Sequence, residues 1–409
     1  MPCMLLCMVL AAPAPGRAQE TKRVASPADA RELTFKEVLD AAWQRSLEAS
    51  ESRGRQARAI ADQAVSQSWL AGAPALSLGQ REDRSGVTAR GRETDLGLAL
   101  PLWRPGQRAA GGQAAQSQAG WAVAFEQAER LRLAGRLREA LAALHLAEAE
   151  SRQAQRQTET LRQLSEDVQR RVRAGDLAPA DALAARSEWL AAQAQSGAAT
   201  QALGIAQAQW RLLTGLAPLP FQGAVPPTLT QLPETHPELL LANAAVDLGQ
   251  RRAELARVQR PDSPELTLGV RQDRPGQAAS SQNSVVMAIR LPFGGQVYQQ
   301  PRIAAALSEV EIAQTQAQRT RERLEAELAL AQSQLSQSLA QLDAGRERST
   351  LLAERARLID KSFRAGETAL PEMLRALAAA ASAESAYARQ QVSHQLAIAR
   401  LEQALGLLP

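Results

Sequence analysis

The sequence predicts a mainly α chain with a small β part, in which long antiparallel helical hairpins are interrupted by four short strands. Three observations predict it. The chain is a tandem repeat. Each repeat holds a stretch of more than sixty residues, poor in proline and rich in helix formers. Each also holds two short segments with apolar residues at alternate positions.

The duplication is visible by inspection. Pro74-Ala75-Leu76-Ser77-Leu78-Gly79-Gln80-Arg81-Glu82-Asp83-Arg84 matches Pro264-Glu265-Leu266-Thr267-Leu268-Gly269-Val270-Arg271-Gln272-Asp273-Arg274 at seven of eleven positions, at an offset of 190. Leu100-Pro101 matches Leu291-Pro292, Arg173-Ala174-Gly175 matches Arg364-Ala365-Gly366, and Gly215 matches Gly406, all at 191. One offset held along half the chain means two copies of one structural unit. The copies span 33–216 and 236–409. Pro218, Pro220, Pro226, Pro227 and Pro233 make 217–235 a linker that cannot be helical.

Each unit opens on a helix. Thr34 with Glu37 forms a capping box, and the helix is expected to run to Leu70; its counterpart runs from Pro237 to Gln259. The alternating segments follow. Leu76 and Leu78, then Leu96, Leu98 and Leu100, are matched in the second copy by Leu266 and Leu268, then Val285, Met287, Ile289 and Leu291. Period two puts each set on one face of a strand, with small or polar residues on the other. Trp103 and Phe293 follow each pair, where either an interfacial aromatic or ordinary loop packing fits. Next come the long stretches, Gln107–Val172 and Gln296–Phe363, each about 100 Å if helical throughout, by the rise of about 1.5 Å per residue. Pro301 is the one proline in either. Helices of this length need neighbours along their whole extent. Gly175 and Gly366 then supply a turn with positive φ, and Pro179 and Pro371 suit the first turn of a returning helix. The returning helix is much shorter than the one before it, and the first helix of the unit can stack end to end with it.

Composition narrows the function. Hydrophobic residues make up 45% of the chain but aromatic ones only 3%, which suits close helix packing better than a thick globular core. The 47 basic and 43 acidic residues are mixed along the chain, and the net charge of +4 comes without a basic block, so nucleic acid is not an expected partner. His145, His236 and His394 are far apart and lack metal-ligand or triad spacing, and no phosphate-binding glycine motif occurs. No catalytic, cofactor or metal residue is therefore assigned, and an enzyme is not expected. Met4 to Ala12, followed by Gly16-Arg17-Ala18, reads as an export signal over 1–18, and it contains both cysteines, Cys3 and Cys7. Beyond it no apolar run reaches the length of a membrane-spanning helix, so a membrane crossing would have to be a β-barrel. Four strands cannot close one. Three chains would supply twelve.

The order of elements, the duplication and the glycine turns resemble the outer-membrane factor family typified by TolC, over nearly the whole chain after residue 20. The turns carry the resemblance best: Arg171-Val172-Arg173-Ala174-Gly175-Asp176-Leu177 with Asp181 and Leu183, and Phe363-Arg364-Ala365-Gly366-Glu367-Thr368 with Glu372 and Leu374. Leu100-Pro101-Leu102-Trp103 with Gly106-Gln107-Arg108 further resembles the heavy-metal, CzcC-like branch. The family implies a homotrimer with a twelve-strand transmembrane β-barrel in the outer membrane of a Gram-negative bacterium and a trimeric α-barrel across the periplasm. It implies a passive efflux duct for metal ions or drugs, working with a periplasmic adaptor and an inner-membrane RND-type pump. It makes Leu76, Leu78, Leu96, Leu98, Leu100, Leu266, Leu268, Met287, Ile289 and Leu291 lipid-facing. It places Ala174, Gly175, Leu177, Ala365, Gly366 and Thr368 at the adaptor-contacting tip, and Asp181, Glu372 and Arg375 at a periplasmic gate. Thr368 stands where some members carry a basic residue, and Arg375 where some carry a second acid. Asp181 and Glu372 also fit as helix-start acids. The rival reading is a soluble periplasmic coiled-coil or adaptor protein; two hairpin units and no β-rich end count against it.

Overall fold

The computed structural model describes residues 33–82, 91–219, 225–260, 262–274, 280–294 and 296–409. The expected export signal over 1–18 lies outside them. The element order is α1 (Phe35–Arg45), α2 (Leu47–Gln67), β1 (Ala75–Glu82), β2 (Arg92–Pro101), α3 (Gln107–Ala174), α4 (Pro179–Thr214), then α5 (Pro237–Val258), β3 (Glu265–Arg274), β4 (Gln282–Arg290), α6 (Gln296–Arg364) and α7 (Leu370–Ala404). The second series repeats the first, except that α5 stands where α1 and α2 do.

That exception corrects the single opening helix expected to run from Thr34 to Leu70. The capping box forms: the Thr34 N–H donates to Glu37 at 2.8 Å, and the Glu37 N–H to the Thr34 hydroxyl at 3.3 Å. The helix breaks at Ser46, whose backbone is extended (φ −78°, ψ 150°). Its hydroxyl serves both ends, donating to the Trp43 carbonyl at 2.9 Å and accepting from the Ala49 N–H at 3.1 Å. Serine competes with the backbone for such bonds, which favours a cap over a helix interior.

The 68-residue α3 and 69-residue α6 are each about 100 Å long at 1.5 Å per residue. Each packs against two shorter helices, α3 against α2 and α4, and α6 against α5 and α7. Contacts of α3 with α5 and α7 then join the repeats. Arg138 on α3 reinforces the joint. It is largely buried, and it donates to Gln403 at 2.7 Å and to the Leu407 carbonyl at 3.0 Å, with Glu402 at 3.2 Å.

Buried apolar residues gather in three places. Where α1 and α4 meet α3, Val38, Trp43, Leu137, Leu144 and the fully buried Trp210 form one cluster. At the far end of α3 and α4, Leu161, Leu164 and Val168 pack with Phe363, Leu370 and Met373 of the second repeat. A third cluster joins Leu328, Leu401 and Leu405, with Leu232 of the linker against it. Between the first two, α3 buries alanine and polar side chains, His145, Ala147, Ser151, Gln153 and Ala154, and no large apolar one. Trp43 and Trp210 in the first cluster and Phe363 in the second are the buried aromatic residues of these joints.

His236 caps α5, its Nδ1 accepting from the Glu238 N–H at 3.1 Å, and only 1% of the residue is exposed. Its Nε2 is buried without a partner among the described residues. Burial pushes its pKa down, against the opposing pull of Glu238. The folded chain therefore favours neutral His236, while the unfolded chain takes up a proton below about pH 6.5. This contribution to stability is complete above that pH and lost as the pH falls. Denaturant midpoints at pH 7.5 and 5.5 are expected to show the drop. His236→Asn keeps a capping acceptor, so its drop should be smaller; an equal drop in both proteins would assign it elsewhere.

Candidate functional site

The four strands form one antiparallel sheet in the order β1-β2-β3-β4, so β2 pairs with β3 and unites the two repeats. The registers align the alternating residues into rows. One face carries Leu76–Leu98–Leu268–Met287, Leu78–Leu96–Val270–Val285 and Leu100–Leu266–Ile289. Every predicted face residue within the strands falls in these rows, and Leu291 follows directly on β4. The opposite face carries Ser77–Gly97–Gly269–Val286 and Ala75–Ala99–Thr267–Ala288, then Gly79–Asp95–Arg271–Ser284. Arg271 there pairs with Asp95 and Glu93, both at 2.7 Å.

The apolar face is bare in the single chain. Leu76 is 74% exposed, Met287 65% and Val285 84%. Among the described residues the outer edges of β1 and β4 are also unpaired. An exposed apolar face with two free edges is the surface that soluble proteins avoid.

Gly97 and Gly269 sit opposite each other. A Cβ on Gly269 would lie 2.6 Å from the Leu96 carbonyl oxygen and 3.2 Å from the Gly97 Cα, both backbone atoms that cannot move aside. Gly269→Val is therefore expected to break the β2–β3 pairing that joins the repeats. A purified variant that keeps the strand signal in infrared spectra and the wild-type assembly would refute this.

Two arginines cross-link the segments that flank the sheet. Arg108 donates to the terminal carbonyls of α2, Ser66 at 3.2 Å and Gln67 at 2.7 Å. Arg104 donates to Asp262 at 2.9 Å and Pro292 at 3.2 Å. Both lie between Trp103 and Arg108, and no local spacing marks either as a cross-link. Trp103 is half-buried and donates to the Ser68 carbonyl at 3.0 Å, while Phe293 is 96% exposed. Of the two aromatics for which interfacial and loop-packing placements both fit, Trp103 packs against the end of α2 and Phe293 is presented outward.

At the other end of the molecule lie the two glycine turns. Gly175 and Gly366 have φ of 89° and 81°. The N–H after each glycine bonds back to the last turn: Asp176 to Arg171 at 2.9 Å, and Glu367 to Ser362 at 3.0 Å. These are matching Schellman closures. Ala174, Gly175, Ala365 and Gly366 are exposed, and Leu177 and Thr368 are half-buried. The turns lie side by side. The Arg171 guanidinium sits 5.1 Å from the centre of the Phe363 ring and donates to its carbonyl at 3.3 Å. This bridge joins residues in different repeats, and no local spacing signals it.

The three gate candidates differ in surroundings. Asp181 accepts from the Ala178 N–H at 3.2 Å, so it closes the start of α4. Glu372 accepts from Arg355 at 2.8 Å and lies 3.6 Å from Arg375. Two guanidinium groups therefore compensate one carboxylate. Arg375 also donates to the Pro371 carbonyl at 3.2 Å. Among the described residues no group of histidine, cysteine or acidic side chains could hold a metal ion, and no helix is long and apolar enough to cross a membrane.

No protein-family model and no curated protein matches the sequence. Solved structures match along almost the whole chain. The outer membrane protein VceC from Vibrio cholerae aligns with a TM-score of 0.74 at 15% identity, over 91% of this chain and 96% of its own. The Campylobacter jejuni CmeC outer membrane channel aligns at 0.74 and 15%, over 97% and 93%. The open state of the Neisseria gonorrhoeae MtrE outer membrane channel aligns at 0.70 and 18%, over 91% and 88%. The paired repeats, the four-strand sheet and the long helical hairpins are therefore those of the TolC-like outer-membrane channel fold.

Proposed function

We propose that the chain is one subunit of a homotrimeric outer-membrane channel, a passive exit duct in a tripartite efflux system. The observation that carries this reading is the sheet: one apolar face largely exposed, two edges unpaired among the described residues, and helices of about 100 Å leaving from one end. Lipid tolerates a sheet only when its edges are closed, and three copies close them with twelve strands. Leu76, Leu98, Leu268 and Met287 then face lipid, and the row through Ser77, Gly97 and Gly269 faces the lumen. The helices continue the barrel as a tunnel across the periplasm, and no step requires a cofactor.

The glycine turns, with Ala174, Leu177, Ala365 and Thr368, form the tip that a periplasmic adaptor would contact, with an inner-membrane pump of the RND type supplying energy and choosing the substrate. Metal ions and drugs both fit such a duct. Asp181, Glu372 and Arg375 line the entrance in this reading. Glu372→Ala strips a carboxylate from two arginines, so bilayer recordings are expected to show higher conductance and a shift toward anions. Unchanged conductance and ion preference would remove Glu372 from the gate.

Fractionation followed by mass measurement of the detergent-extracted, unheated protein tests the whole reading. An outer-membrane species of three chains supports it. A soluble periplasmic monomer or dimer rejects the barrel and favours the coiled-coil or adaptor alternative.

A further inference from the structure

Beyond its apolar rows, the leucine face changes character toward the hairpin tips. The row after Leu78–Leu96–Val270–Val285 is Gln80–Thr94–Gln272–Asn283, polar and uncharged. The next holds Glu82, Arg92 and Arg274. In it two arginines stand directly opposite each other on neighbouring strands, both exposed and both on the apolar side of the sheet by strand alternation. Like charges in that position repel. Glu82 compensates only one of them, at 3.3 Å from the Arg92 Nε. Among the described residues Arg274 has no ion-pair partner.

The height of this row suits a particular occupant. It lies four residues beyond the last apolar row, about 10 Å for a strand tilted by roughly 40°. The polar zone outside the hydrocarbon of a bilayer is about 5–8 Å thick on each side. An arginine side chain closes the remaining gap. Guanidinium groups bind phosphate oxygens through two parallel N–H bonds, and a phosphate between two of them turns their repulsion into attraction.

We propose that Arg92 and Arg274 together bind the phosphate of an anionic lipid headgroup, in the leaflet around the hairpin-tip end of the sheet. The proposal rests on the reading of the sheet as a barrel wall. Three copies give three such sites around the rim.

The test uses the purified full chain in detergent, mixed with equal amounts of phosphatidic acid and phosphatidylcholine, with bound lipids counted by native mass spectrometry. Wild type is expected to retain phosphatidic acid about tenfold over phosphatidylcholine, given the attraction of anionic headgroups to each basic residue near a membrane surface. The Arg92→Gln, Arg274→Gln double variant should fall to about twofold or less. Arg274→Lys should keep most of the preference, and Arg290→Gln, on the opposite face, all of it. A double variant that retains the wild-type preference, or an equal loss in Arg290→Gln, overturns the proposal. So does displacement of phosphatidic acid by millimolar inorganic phosphate, which would make this a site for free phosphate. Flotation with pure phosphatidylcholine vesicles separates the two readings. Protein that floats without lipid preference loses the site and keeps the barrel; protein that does not float loses both.

Discussion

Met287→Arg is expected to keep the chain out of membranes, and Ala288→Arg, one residue further on, is not. The two positions are neighbours in β4 and both are exposed in the single chain, so intrinsic strand preference and solvent exposure barely distinguish them. Their faces do. Met287 continues the row Leu76–Leu98–Leu268, and Ala288 continues Ala75–Ala99–Thr267. An arginine on the lipid side of a barrel costs about 2–4 kcal/mol near the bilayer midplane. A trimer carries three, so the barrel loses about 6–12 kcal/mol, comparable with the entire stability of an ordinary domain. The check is the share of each variant that floats with vesicles as a species resistant to unheated detergent. Equal insertion of the two variants would mean that the leucine rows face something other than lipid.

Trp210→Ala should be the most damaging single truncation in the helical part. Trp210 is fully buried where α4 returns to α1 and α3, and its indole N–H donates to the Ala217 carbonyl at 3.2 Å. Emptying that volume costs about 3–5 kcal/mol. Trp210→Phe removes chiefly the hydrogen bond, about 1 kcal/mol, and serves as the graded comparison. Trp69, which is 91% exposed, should tolerate alanine with little change in the isolated protein. Denaturant midpoints followed by helix signal order the three variants. Parity between Trp210→Ala and Trp69→Ala would show that the joint carries little of the stability.

What could be read from the sequence was whatever the backbone demands locally. Gly175 and Gly366 were legible because a left-handed turn after a long helix selects glycine, and both glycines hold positive φ. The strand faces were legible because alternation has one meaning. Contacts between distant residues were not. Nothing local says that β2 pairs with β3, yet it is the β2 backbone, at Leu96 and Gly97, that leaves no room for a Cβ on Gly269. Ser46 was read as helix interior because it lacks the acid that marks Thr34 as a cap; Ala49 stands where Thr34 has Glu37. Arg171 and Phe363 were quoted as parts of two separate turns, and their contact depends on how the repeats pack. Glu372 was legible as an acid at a helix start, but its compensation by Arg355 comes from another helix.

The placement of buried apolar residues in three separate clusters bears on how the molecule comes apart. A chain with one core melts all at once. Here Leu161, Leu164 and Val168 lie on α3 beyond a stretch that buries no large apolar side chain, well removed from Leu137, Leu144 and Trp210. Opening the far end of the hairpins need not disturb the joint. Amide protons of α3 around Val168 should therefore exchange with solvent deuterium through a cheaper, sub-global opening than those around Leu137, although one continuous helix holds both. In energetic terms the rod is a series of partly independent segments, and the one at the glycine turns can loosen while the rest keeps its protection.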